Sequence, residues 1–276
     1  VSLIKSFEAI KENEVDLVGG KALSLGRLSQ AGLPVPNGFV ITTAAYHDSI
    51  TKGMSIELEE VILKAFDRLG ADHVAVRSSA IAEDSVDASW AGQFETYLNV
   101  GREELISSIK QCWQSAQSKT VNAYGKLHKA SNDQRALAVV IQKMVASEIA
   151  GVAFSVNPLS KDNDEIMIEA IYGLGELLVQ GKIIPDNYVI QKDTLEVIEK
   201  HISQKSNMLI YEDHKNVAQL VLEKKKDEPC LDDSQLVHLA ELILGVEKYF
   251  GKPQDIEWAF EEGTFYIVQS RPITTI

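Results

Sequence analysis

Four side chains near the end of the sequence have the types and spacing for chemistry: Asp255, Glu257, Gln269 and Arg271, within QDIEWAFEEGTFYIVQSRP. Two carboxylates and an amide oxygen suit Mg²⁺, and an arginine suits a phosphate. They can act together only if the chain folds back so that all four share a face. The stretch reads as two strands with period-2 alternation, rich in aromatic and β-branched residues, joined at Glu261-Glu262-Gly263. A three-residue loop with Gly in its left-handed position sets Glu257 opposite Ile267 and Asp255 opposite Gln269. Ile256, Trp258, Phe260, Tyr266 and Val268 then make the core face. A two-residue loop would move Asp255 and Glu257 onto the face of Tyr266 and Val268, so register decides the reading. In the first register the hairpin is a platform for a metal and a nucleotide. An amphipathic hairpin with a solvated acidic face has the same spacing.

Two further cations could serve phosphates. Lys21 follows Gly19-Gly20 at the start of a helical run, Ala22 to Gln30, where backbone N–H groups favour anions. It is no Walker A motif, since GxxxxGK[ST] is absent, and a glycine turn before a core helix reads the same. Arg77 follows the short buried strand Val74-Ala75-Val76 and opens the stretch RSSAIAEDSVDASWAGQFET. That run to Thr96 is small and polar, and it is expected to be a loop. A loop of that length is either functional, here as a lid over a polyphosphate, or merely solvated.

The elements around these residues are of both kinds. Helices are expected over residues 56–69 and 103–118, and after Asp233, which is placed to cap the last one. Strands are expected at Leu137–Ile141, Gly151–Ser155 and Glu165–Glu169, with a hairpin pair around Lys192-Asp193. Gly173-Leu174-Gly175-Glu176 fails as a dinucleotide fingerprint, because Leu178 stands where the third glycine belongs. The pattern is α+β in two lobes.

A chain of 276 residues with 45% hydrophobic and 24% charged residues has the composition of an ordinary globular protein. The net charge of −13 argues against a general nucleic-acid binder, which needs a cationic surplus. The two cysteines, Cys112 and Cys230, have no metal spacing and fit a reducing compartment. No run reaches the ~18 apolar residues of a membrane span, and no signal-peptide pattern opens the chain, so cytoplasmic is the expectation.

Several segments, taken in order, resemble one family. VGGKALSLGRLSQAGLPVPNGFVITTAAY, VAVRSSAIAED, AGQFETYLNV, GVAFSVNP, EAIYGLGELLVQG, PDNYVI and QDIEWAF with YIVQSRPIT are similar to the ATP-binding domain of the PEP-utilising dikinases. That group includes phosphoenolpyruvate synthase, pyruvate phosphate dikinase and rifampin phosphotransferase. The resemblance implies an ATP-grasp-like fold with ATP clamped between two lobes, residues 1–142 and 143–276. It implies that Lys21 and Arg77 contact the phosphates and that Gly92, Gln93 and Thr96 lie on the lid loop. It places Gln142, Lys143 and Met144 against adenine, largely through backbone, and Glu169 near the ribose. Asp255, Glu257 and Gln269 would hold Mg²⁺. Glu257, Gln269 and Arg271 would also contact ATP, and Lys21, Arg77 and Arg271 would stabilise the moving phosphoryl group.

The implied reaction passes a phosphoryl group from Mg-ATP to a histidine on a separate swivelling domain, with release of AMP, most like phosphoenolpyruvate synthase. A small acceptor, pyruvate being the commonest in the family, is then handled elsewhere. None of the six histidines has the family's Thr-Ser-His-Ala context, and the chain starts at Val1. The expectation is therefore a domain of a longer enzyme, or one half of a split system, whose partner is the phosphohistidine carrier. A rifampin phosphotransferase-type domain and a non-catalytic nucleotide-binding regulator are the alternatives.

Overall fold

The computed structural model describes residues 2–80, 84–85, 88–89, 95–115, 136–212 and 215–274. It divides into two compact units, one of residues 1–32 and 36–144, the other of residues 33–35 and 145–276. Each is a mixture of helix and antiparallel sheet, in keeping with the α+β class.

The first unit is built on a five-stranded sheet: β1 (Ile4–Ser6), β2 (Gly38–Ile41), β3 (Val74–Ala80), β6 (Thr96–Val100) and β7 (Leu137–Lys143). Their order is β1-β2-β7-β3-β6, and every pairing is antiparallel. The short strands β4 (Asp84–Ser85) and β5 (Ala88–Ser89) pair with each other. Alternation along the strands sorts the two faces. Phe39, Ile41, Val74, Val76, Val139 and Ile141 join one core cluster with residues of helices α2 (Thr43–Lys52), α3 (Ile56–Leu69) and α4 (Leu105–Ser115). The opposite face presents Arg77 and Ser79 to helix α1 (Val15–Gln30), whose Val18, Ala22, Leu25 and Leu28 are fully buried.

One expectation fails in this sheet. Strand β3 does not end at Val76 but continues through Arg77, Ser78 and Ser79 to Ala80. The reason is β7, which pairs with it along the whole length from Val74↔Lys143 to Ala80↔Leu137 and so satisfies backbone groups that a loop would leave to water. Arg77 is thus a buried strand residue, and Thr96 stands opposite it on β6.

The second unit carries a six-stranded antiparallel sheet in the order β11-β10-β9-β8-β14-β15. Its strands are β8 (Ile149–Phe154), β9 (Glu165–Tyr172), β10 (Asp186–Gln191), β11 (Val197–His201), β14 (Gln254–Glu261) and β15 (Thr264–Pro272). A short helix α5 (Glu176–Val179) follows β9, and a hairpin of β12 (Asn207–Glu212) and β13 (Lys215–Leu220) forms a separate sheet. Helix α6 (Asp233–Phe250) buries Leu236, Leu239, Ala240, Ile243 and Val246. Its N-cap is Asp232, not Asp233. Asp232 Oδ1 accepts from Gln235 N at 2.9 Å while Gln235 Oε1 accepts from Asp232 N at 2.9 Å, a reciprocal capping box that Asp233 cannot make.

The terminal hairpin also departs from expectation. Glu261 pairs with Thr264, so the loop is the two residues Glu262 and Gly263, with φ of 47° and 80°. Positive φ at both positions is the mark of the tight turn that matches strand twist. Trp258 then faces Ile267 and Ala259 faces Tyr266, and between Glu257 and Trp258 the register shifts by a bulge at Val268. The extra residue reverses the facing of everything beyond it, so Glu257 stands opposite Gln269 and Asp255 opposite Arg271. The core face holds Phe265 and Ile267 in place of the expected Tyr266 and Val268, both of which remain partly exposed.

Candidate functional site

In the first unit the chemistry is arranged where α1 meets β3. Gly19, at φ 76° and ψ 168°, breaks the helix after one turn, and it resumes at Gly20. Ser79 fits against the break: its hydroxyl donates to Val18 O at 2.8 Å and accepts from Ala22 N at 3.1 Å. Lys21 is 7% exposed and donates to Ser78 O at 2.9 Å. Its ammonium is therefore held beside β3, on the strand that carries Arg77 two residues before Ser79.

Arg77 and Gln142 lie diagonally on one face of the sheet, since Ala75 pairs with Gln142 and Arg77 with Val140. Gln142 is 2% exposed, and its Oε1 accepts a long bond of 3.5 Å from Arg77. The N–H groups of Lys143 and Met144 donate to Asn37 O at 2.8 Å and His73 O at 3.1 Å. Lys143 is exposed and Met144 half-buried. Of the expected lid residues, Thr96 is exposed at the start of β6, while Gly92 and Gln93 lie outside the described residues.

The second unit gathers a set of acidic side chains of its own. Across its sheet the row Gln269, Glu257, Val152, Glu169 and Asn187 runs through four ladders. The adjacent row on the same face is Arg271, Asp255, Phe154 and Met167. Three carboxylates, two amides and a guanidinium thus share one face, while Trp258 and Phe260 pack on the other. Gly151 makes room for that packing: a Cβ there would fall 2.5 Å from the Trp258 ring.

Charge crowding shows in the acids. Burial pushes the Glu169 carboxyl above the ordinary range, and the nearby Asp255 adds to the effect. Burial raises Asp255 too. Arg271 acts against that rise, and Glu257 reinforces it. Arg271 donates to Asp255 Oδ2 from Nε at 2.8 Å, and its second nitrogen lies 2.7 Å from the same oxygen. Among the described residues no group of three or more His, Cys, Asp or Glu side chains is placed to hold a metal by itself. Two oxygens from Glu257 and Gln269 still suit Mg²⁺, which takes few protein ligands and completes its shell with water and phosphate. Cys112 and Cys230 take no part: both are buried, and burial pushes the Cys112 thiol up to about 12.

Sequence reasoning missed Ser79 as the residue that seats helix α1 at its break. A signal was present in its two serines directly after Arg77, small hydroxyls where a buried strand would otherwise carry β-branched residues. The burial of the Gln142 side chain had no local signal.

Residues 15–54 and 50–276 match the family described as the pyruvate phosphate dikinase, AMP/ATP-binding domain. The chain belongs to that family. A probable phosphoenolpyruvate synthase of Methanocaldococcus jannaschii is 37% identical over 100% of this chain and 27% of its own length. A rifampicin phosphotransferase of Bacillus cereus is also 37% identical, over 100% of this chain and 36% of its own length. The chain spans only 27% to 46% of the length of such relatives. Among solved structures, a D-alanine–D-alanine ligase of Bacillus anthracis matches 91% of this chain and 55% of its own, at 11% identity and a TM-score of 0.41. Among the described residues no helix is long and apolar enough to cross a membrane.

Proposed function

We propose that this chain is the Mg-ATP-binding domain of a phosphoenolpyruvate synthase-like dikinase. It passes a phosphoryl group from ATP to a histidine on a separate carrier domain and releases AMP. The observation that carries the reading is the single sheet face on which Glu257, Gln269, Glu169, Asp255 and Arg271 converge. Phosphoryl transfer depends on positioning and charge neutralisation more than on a protein nucleophile, and this residue set supplies both.

The first unit is the lobe in which Lys21 and Arg77 hold phosphates, with Gly92, Gln93 and Thr96 on its lid, and the second unit the lobe with the metal hairpin. Gln142, Lys143 and Met144 serve adenine, and Glu169 the ribose. Mg²⁺, bound on the hairpin face that carries Asp255, Glu257 and Gln269, neutralises phosphate charge. Lys21, Arg77 and Arg271 stabilise the charge on the phosphoryl group in motion. The carrier histidine and the acceptor site lie on other domains, and the setting is the cytoplasm. Pyruvate is the favoured acceptor.

The equal identity to a rifampicin phosphotransferase supports a second reading, in which the acceptor is an antibiotic. A regulator that only binds nucleotide is the third.

Titration calorimetry of the chain with ATP, with and without Mg²⁺, tests the core claim. Metal-dependent binding that is lost in Arg271→Ala is expected. No binding, or binding indifferent to Mg²⁺, overturns it. Coupled assays of the longer enzyme with pyruvate and with rifampicin then separate the acceptors.

A further inference from the structure

The hairpin's register separates two pairs that the sequence lumps together. Asp255 faces Arg271, and two residues along the same face Glu257 faces Gln269. The first pair is joined directly, with one Asp255 oxygen taking two guanidinium nitrogens at 2.8 and 2.7 Å. It is also lopsided, since the Asp255 side chain is 13% exposed and that of Arg271 41%. The carboxylate is the buried anchor and the guanidinium the end that reaches outward.

A metal ion sharing the Asp255 carboxylate would sit beside the guanidinium already there, and two cations at that separation repel. A metal at Glu257 and Gln269 is one row away, since alternate residues on a strand are ~6.6 Å apart. That spacing lets one phosphate chain meet the metal and the arginine together.

We infer that Asp255 is a positioning residue for Arg271 and not a metal ligand, leaving Glu257 and Gln269 as the protein's metal donors. The inference rests on the Mg-ATP reading above. It adds that the two carboxylates two residues apart in the sequence have different work.

The test separates metal from nucleotide. Mn²⁺ binding to the ATP-loaded chain is followed by electron paramagnetic resonance, and ATP binding by calorimetry, for wild type, Asp255→Asn, Glu257→Gln, Arg271→Ala and the double variant Asp255→Asn/Arg271→Ala. Asp255→Asn is expected to keep Mn²⁺ affinity within about threefold while weakening ATP about tenfold, and the double variant to bind ATP no worse than Arg271→Ala alone. Glu257→Gln is expected to lose Mn²⁺. The Arg271 Nε–H resonance, assigned by its loss in Arg271→Ala, should shift in Asp255→Asn with no ligand present, which a folding defect elsewhere would not mimic. Loss of Mn²⁺ in Asp255→Asn as large as in Glu257→Gln, or additive losses of ATP affinity in the double variant, overturns the assignment. A wild-type chain that binds no ATP defeats the Mg-ATP reading itself, and the positioning role falls with it.

Discussion

Gly19 and Ser79 compete for one space. A Cβ on Gly19 would lie 2.2 Å from the carbonyl oxygen of Ser79 and 2.4 Å from its hydroxyl. The missing side chain lets strand β3 approach the break in α1, and the Ser79 hydroxyl bridges that break through Val18 and Ala22. The seat of Lys21 is made by this contact.

Gly19→Ala should therefore destabilise the first unit by at least about 2 kcal/mol, from backbone strain at φ 76° and the clash with a backbone oxygen. Urea unfolding followed by far-ultraviolet dichroism measures it. A loss under about 0.5 kcal/mol would show that the strand gives way easily.

The second unit contains a buried ion pair away from the proposed site. Lys205 and Asp186 are both fully buried, 2.5 Å apart. Asp186 also accepts from Ser203 N at 2.9 Å and Cys230 N at 2.8 Å, and Lys205 donates to Ser203 O at 2.9 Å. Removing one partner strands the other charge, so Lys205→Met should cost about 3–5 kcal/mol. Trp258 fluorescence during denaturation reports on this unit, and an unchanged midpoint would mean that Asp186 simply takes up a proton.

The turn of the terminal hairpin is held by a residue poorly suited to it. Glu262 has φ 47°, a conformation that costs a side-chain-bearing residue about 1–2 kcal/mol and that Asn tolerates better. Glu262→Asn should raise stability by about 0.5–1 kcal/mol, read as a higher denaturation midpoint with an unchanged slope. A drop would imply that the Glu262 side chain contributes more than its backbone costs.

The crowded carboxylates give stability a pH dependence. Glu169 is raised in the fold, so the folded chain keeps a proton that the unfolded chain has already released. Its contribution is present below the ordinary carboxylate range and is lost as pH rises through the raised value. Metal-free Glu169→Gln should therefore gain on wild type as pH climbs through that window and hold a constant advantage above it. Asp255 is raised in the same sense, so some slope should persist in the variant. Denaturation midpoints of both proteins across about pH 4–8 decide, and a difference that shrinks with rising pH would contradict the assignment.

Much of this protein could be read from its residues. The short motifs placed Lys21, Arg77, Glu257, Gln269 and Arg271 in one family's order, and period-2 alternation divided β14 into an acidic side and an aromatic side before any partner strand was known. Helix α3 lies where its spacing puts it, over Ile56–Leu69. These are local properties: a residue's neighbours in sequence fix its helical stripe or its strand face.

Tertiary structure decided what depends on a second strand. Arg77 belongs to a strand because β7 runs past it, although the residues that follow it are small and polar. The hairpin turn is one residue shorter than expected, and the bulge at Val268 then returns Gln269 and Arg271 to the side of Glu257 and Asp255. Beyond the bulge the two departures from the expected register cancel in which face each residue takes, but not in which residue meets which; between the turn and the bulge Phe265 and Ile267 take the core face instead of Tyr266. The loop-length preference could not reveal that bulge. It arises where Trp258 lies over Gly151 and where Ile267 N–H donates to Pro34 O at 2.8 Å, contacts with residues more than a hundred positions away in the chain. Alternation is written into each strand; register is set by what the strand packs against.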